Sequence, residues 1–141
     1  MKTNWKTSAL ILLCTVSLTG CTQTNNKEKA PEQRSEAGAV VHVSSEQEFN
    51  NAIAQGNVVV DFYASWCGPC QRMSPIIDDL AKEMLGTIFV KVDTEKFKAL
   101  STQFGVRGLP TLVFFKDGQK VRQVTGARSK VELRNEINKT F

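Results

Sequence analysis

The stretch DFYASWCGPCQRMSP, residues Asp61–Pro75, decides how the rest of the chain is read. It places Cys67 and Cys70 three residues apart, with Gly68 and Pro69 between them and Trp66 in front. Upstream it continues an apolar, β-branched run, NVVVDFYA (Asn57–Ala64), with the composition of a central strand buried on both faces. Downstream, Ile76, Ile77, Leu80, Ala81, Met84 and Leu85 recur at helical spacing and predict a helix with these residues inward. The cysteines therefore lie where a strand hands over to a helix. Pro75 falls inside that helix and is expected to kink it. Asp61 falls in the middle of the strand, where an unpaired carboxyl is costly to bury.

Working outward, AVVHV (Ala39–Val43) reads as a strand. Ser45 and Glu48 have the spacing of a capping box, and Phe49, Ala52 and Ile53 share one face of the helix that follows. TIFVKVD (Thr87–Asp93) is a second central strand, and EKFKALSTQF (Glu95–Phe104) a short helix. TLVFFKDGQKVRQVTG (Thr111–Gly126) reads as a hairpin turning at Asp117-Gly118, and its LVFF segment as core strand. Ser129 and Glu132 cap a last helix, with Val131, Leu133 and Ile137 expected inward. The order βαβαβαββα gives an α/β fold, a mixed central β-sheet flanked by helices on both faces.

A chain of 141 residues with 41% hydrophobic and 23% charged residues has the length and composition of one globular domain. Its formal charge is +4, yet Lys2 and Lys6 belong to a leader; removing them from the 18 basic residues leaves 16 against 14 acidic ones. The basic residues are scattered among acidic ones without aromatic interleaving, which argues against nucleic-acid binding. The leader, MKTNWKTSALILLCTVSLTGC, has a basic start and an apolar stretch of about ten residues, too short for a span of about 20. It ends in LTGC, which resembles the lipobox of bacterial lipoproteins. That resemblance implies a signal peptide over 1–20 and a lipidated Cys21 as the mature N-terminus. Residues 22–38 are almost devoid of apolar side chains and read as a flexible tether. The expected organisation is thus 1–20 leader, 21–38 lipid-bearing tether and 39–141 domain, held on a membrane outside the cytoplasm.

With Cys14 in the leader and Cys21 lipidated, Cys67 and Cys70 are the cysteines left for the domain. Zinc needs four ligands, and one cysteine pair with His42 falls short. A static staple closing a two-residue loop removes little chain entropy. A redox couple remains. At a helix N-terminus the Cys67 thiolate is stabilised by free N–H groups, and Cys70 follows one turn on and is expected to be more buried. Pro69 falls in the first turn, where its missing N–H costs nothing. A desolvated Asp61 should have a raised pKa, suited to taking and returning a proton near neutrality.

These residues resemble the thioredoxin family over 39–141, through VVVDFYASWCGPC, Pro75, FVKVD with Lys91, FGVRGLPTLVFFKDG with Pro110, and VTGARSK with Gly126. The resemblance implies the thioredoxin fold, a cis peptide at Leu109-Pro110 beside the cysteines, and a shallow apolar groove. Trp66, Gly68, Pro69, Gly108, Leu109, Pro110 and Gly126 would bind an extended, disulfide-containing protein substrate there by strand addition. It further implies thiol-disulfide exchange without a cofactor, with Cys67 as nucleophile, Cys70 as resolving thiol, Asp61 as proton acceptor and Lys91 tuning its charge; a structural Asp61–Lys91 ion pair is the plainer alternative. Tyr63 stands where many relatives have a second Trp, and Gln71 where a Lys often follows the second Cys. The Gly-Pro pair between the cysteines favours a reductase, a monomer recharged by a membrane-embedded thiol electron donor. An oxidase or isomerase of the same fold, or a non-redox binding or chaperone module, remains the alternative.

Overall fold

The structure, a computed structural model, describes residues 38–141. The leader, Cys21 and the tether up to residue 37 lie outside the described residues. Five strands and four helices follow one another as β1 (Val40–His42), α1 (Glu46–Ile53), β2 (Asn57–Tyr63), α2 (Gly68–Glu83), β3 (Thr87–Asp93), α3 (Lys98–Gln103), β4 (Thr111–Lys116), β5 (Gln119–Thr125) and α4 (Lys130–Thr140). The sheet order is β1-β3-β2-β4-β5. β1, β3 and β2 run parallel, while β4 and β5 are antiparallel to their neighbours. His42 is exposed on the edge strand β1.

Chain direction and handedness distribute the helices. The β1-to-β2 connection steps across the sheet one way and the β2-to-β3 connection steps back, so two right-handed crossovers put α1 and α2 on opposite faces. Alternation along β2 matches this. Val58, Val60 and Phe62 pack with Phe49 and Ile53 of α1 and Leu100 of α3, and Val59 packs with Met73, Ile77 and Leu80 of α2 and Leu133 and Ile137 of α4. Phe49, Phe62, Phe104 and Phe115 form a ring-on-ring cluster under α1, with centroids 5.3 to 6.2 Å apart. On the other face Lys130 bridges Asp79 at 3.0 Å and Glu83 at 2.8 Å, tying α4 to α2.

Local chemistry sets most boundaries. Asp117 and Gly118 have φ of 48° and 81°, the two positive values that a tight hairpin turn requires, and the Asp117 carboxylate accepts from the Gly56 amide at 2.9 Å. Ser129 and Glu132 form the full capping box. Ser45 caps α1 as expected, but Glu48 accepts from the amide and hydroxyl of Ser44, so the reciprocal half of that box is absent. α3 starts three residues later than expected because the Asp93 carboxylate binds the Glu95 amide and holds a turn there.

Two inward assignments are corrected. Leu85 is exposed, because the chain leaves helical geometry at Met84 (φ −112°, ψ 65°) and the α2 periodicity stops before it. Val131 is exposed because it lies two residues before Leu133, on the opposite side of α4. Among the described residues no helix is long and apolar enough to cross a membrane.

Candidate active site

β2 ends at Tyr63, and the next residues turn directly into α2 at the carboxyl end of the parallel strands. This is where the strand order reverses direction, the usual place for a site in an α/β sheet. Cys67 is the N-cap of α2, with an extended backbone; its Sγ accepts from the Cys70 amide at 3.2 Å and its carbonyl from the Gln71 amide at 3.1 Å. The thiol thus takes the position that a Ser or Asp fills in most helices, among N–H groups lacking helical partners. Pro69 occupies the first turn. Cys67 and Cys70 are joined in a disulfide with Cα atoms 5.3 Å apart.

Both cysteines are buried almost equally, at 4% and 3% exposure, packed with Ala64, Tyr63 and Leu109. What distinguishes them is access. An open groove of about 460 Å³ is lined by Trp66, Cys67, Gly68, Pro69, Gly108 and Leu109, and Cys70 does not reach it. Trp66 stands 70% exposed at its rim. The Leu109-Pro110 peptide is cis. Pro110 is buried, and its carbonyl accepts from the Gly126 amide at 2.8 Å, so Pro110 and Gly126 support the groove wall from behind. Gly126 has φ 98°, a conformation that only glycine adopts freely. Gly108 is tightly placed as well, since a Cβ there would meet the Thr125 methyl at 3.2 Å.

Thr94, Ser101, Val106 and Arg107 complete the lining and were not foreseen. They come from the end of β3, from α3 and from the loop after it, so their proximity follows from topology. Arg107, directly before Gly108, was the one with a sequence signal. Gln71, noted as a departure, donates from its side-chain amide to the Ser65 carbonyl at 2.7 Å and steadies the loop before the cysteines.

Asp61 lies on the α2-facing side of β2, between Val59 and Tyr63 in the alternation, 1% exposed, with neither carboxylate oxygen hydrogen-bonded. Burial pushes its pKa from 3.8 up to about 7, against a smaller downward pull from Lys91. Lys91 is the register partner of Asp61 on β3 and is itself buried. Its ammonium donates to the Ser74 hydroxyl on α2 and lies 4.9 Å above the Tyr63 ring. Among the described residues no Asp61–Lys91 ion pair forms within 4.0 Å. Burial, with Asp93 and Asp61 nearby, also raises the Tyr63 pKa. The arrangement offers an openable disulfide, one sulfur of it facing a groove, and on the strand before it a buried carboxyl that can change protonation near neutral pH.

Residues 40–139 match the thioredoxin family. A thioredoxin H-type 1 from Nicotiana tabacum is 44% identical over 110 residues, which cover 74% of this chain and 86% of that protein. A thioredoxin from Chlamydia caviae is 40% identical over 99 residues, covering 70% and 97%. Among solved structures, a mutant thioredoxin from Halobacterium salinarum superposes with a TM-score of 0.70 at 34% identity, covering 74% of this chain and 92% of that one. The thioredoxin of Malassezia sympodialis does so at 0.68 and 34%, covering 73% and 91%. With its Cys67–Cys70 pair in the Cys-Gly-Pro-Cys setting, the chain belongs to the thioredoxin family and is a thiol-disulfide oxidoreductase of the protein-disulfide reductase type.

Proposed function

We propose that this reductase works outside the cytoplasm, anchored through lipid on Cys21 and recharged by a membrane-embedded thiol donor. Cys67 is its nucleophile, Cys70 its resolving thiol and Asp61 the proton acceptor for Cys70. The anchoring rests on the leader and its LTGC ending. The division of labour rests on one observation: Cys67 caps α2 and opens on the groove, whereas Cys70 does not.

The steps balance as follows. The Cys67 thiolate attacks one sulfur of a substrate disulfide and expels the other as a thiolate, leaving a mixed disulfide. Asp61 accepts the Cys70 proton, and the Cys70 thiolate attacks the Cys67 sulfur. The Cys67–Cys70 disulfide forms, the second substrate thiolate leaves, and Asp61 returns its proton. Two electrons pass to the substrate, and the donor must restore them for the next turn. Gly68-Pro69 supplies no side chain that would stabilise the first thiolate beyond the helix terminus itself, which favours the disulfide and hence donation of electrons.

Expression of the full chain with Cys70→Ser tests the assignment. Mixed disulfides with client proteins should accumulate in the membrane fraction, visible without reductant and lost when Cys67→Ser is added. Fatty-acid labelling should mark the parent and not Cys21→Ser. Adducts that survive Cys67→Ser, or equal labelling of Cys21→Ser, would sink the respective halves of the reading.

A further inference from the structure

The Asp61 carboxyl is buried without a hydrogen bond while a lysine sits beside it in register and does not pair with it. Two opposite charges in one low-dielectric layer should close on each other unless something else holds one of them. Lys91, 5% exposed, has three N–H donors and needs partners for them. Ser74 accepts from it, and the Tyr63 ring face lies 4.9 Å from the ammonium, close enough for a cation–π contact. Both partners draw the ammonium towards α2 and the end of β2.

We propose that Ser74, together with the Tyr63 ring, is a positioning residue that holds the Lys91 ammonium off the Asp61 carboxyl and leaves that carboxyl free to gain and lose a proton. The proposal rests on the reading of Asp61 as proton acceptor. Without Ser74, the Asp61 carboxylate, in register across the strands, is an acceptor to which the buried ammonium can turn. Closing that pair would fix Asp61 in its charged form and weaken it as a base. The other groups around Asp61 do not replace this control. Tyr63 on β2 and Asp93 on β3 carry no positive charge, Cys67 and Cys70 are tied in the disulfide, and Leu112 on β4 and Leu133 and Ile137 on α4 are apolar. Arg72 and Asp78 lie on the exposed side of α2.

The test follows the Asp61 side-chain carboxyl by ¹³C NMR against pH in the full-length disulfide form, where the cysteines do not titrate. Ser74→Ala should move the midpoint down by about one pH unit, the shift an opposite charge causes on approaching to about 4–6 Å. Ser74→Thr, which keeps the hydroxyl, should stay at the parent midpoint. Adding Lys91→Met to Ser74→Ala should cancel the downward shift. An unmoved or raised midpoint in Ser74→Ala, with the amide spectrum showing a folded protein, overturns the proposal. Insulin reduction against pH supplies the second readout: the acid limb of kcat should move with the carboxyl while KM stays. A carboxyl that shifts without its kinetic limb supports the positioning by Ser74 and rejects Asp61 as the base. A limb abolished by Asp61→Asn and unmoved by Ser74→Ala, with an unmoved carboxyl, keeps the base and rejects the positioning.

Discussion

Asp61→Asn should stabilise the protein, by an amount that depends on pH. In the unfolded chain the carboxyl titrates at its ordinary 3.8, and in the folded chain at about 7, because burial penalises the charged form more than Lys91 favours it. Between those values the unfolded state holds fewer protons than the folded one, so stability falls as pH rises. Below 3.8 the group costs nothing through ionisation; above about 7 the full penalty applies. At about 1.36 kcal/mol per pH unit, the rise amounts to about 4 kcal/mol. That is a large share of the roughly 5–15 kcal/mol of a typical domain.

An asparagine amide is neutral at every pH and, like the protonated carboxyl, finds no partner at that site, so the two forms should be close in stability near pH 4. The difference should grow to about 2 kcal/mol near pH 5.5 and about 4 kcal/mol near pH 8. Urea unfolding of parent and variant at stepped pH, without reductant so that the disulfide stays closed, measures it. The midpoint should separate with rising pH while the denaturant slope stays equal. A constant offset across the range, or a variant less stable at pH 8, would refute the account of Asp61 as a buried carboxyl charged at a cost. The same variant should resolve mixed disulfides more slowly, so that stability rises as activity falls.

Phe115→Ala should cost about 3–5 kcal/mol, because the ring is buried and meets Phe104 edge-on at 5.3 Å and Phe49 at 6.2 Å; a loss below about 1 kcal/mol in urea unfolding would deny it a central place. Trp66→Ala should change stability by no more than about 0.5 kcal/mol, since the ring is 70% exposed, yet raise KM for insulin several-fold; an unchanged KM would remove Trp66 from the substrate surface.

The sequence carried what repeats at short range. The apolar, β-branched run in NVVVDFY, the Asp117-Gly118 turn and the Ser129–Glu132 box each depend on residues within a few positions, and each stands in the structure where expected. Leu85 was misread because the end of α2 is set by the backbone turn at Met84, which the apolar spacing does not register. Glu48 found Ser44 instead of Ser45 because two adjacent serines offered it competing donors. The groove residues Thr94, Ser101 and Val106, and the Lys91–Ser74 contact, had no local signature, since chain segments far apart must first be brought together by the sheet order. Ser74 and Lys91 are 17 positions apart, on a helix and a strand that meet only because the crossover through α2 returns the chain to the strand beside β2. That same return sets Lys91 in register with Asp61 and brings Ser74 of α2 to the Lys91 ammonium. The topology that sets Cys67 at a helix terminus on the groove therefore also buries a carboxyl on the strand before it and brings a lysine alongside. What a single side chain such as Ser74 can then change is whether those two charges meet.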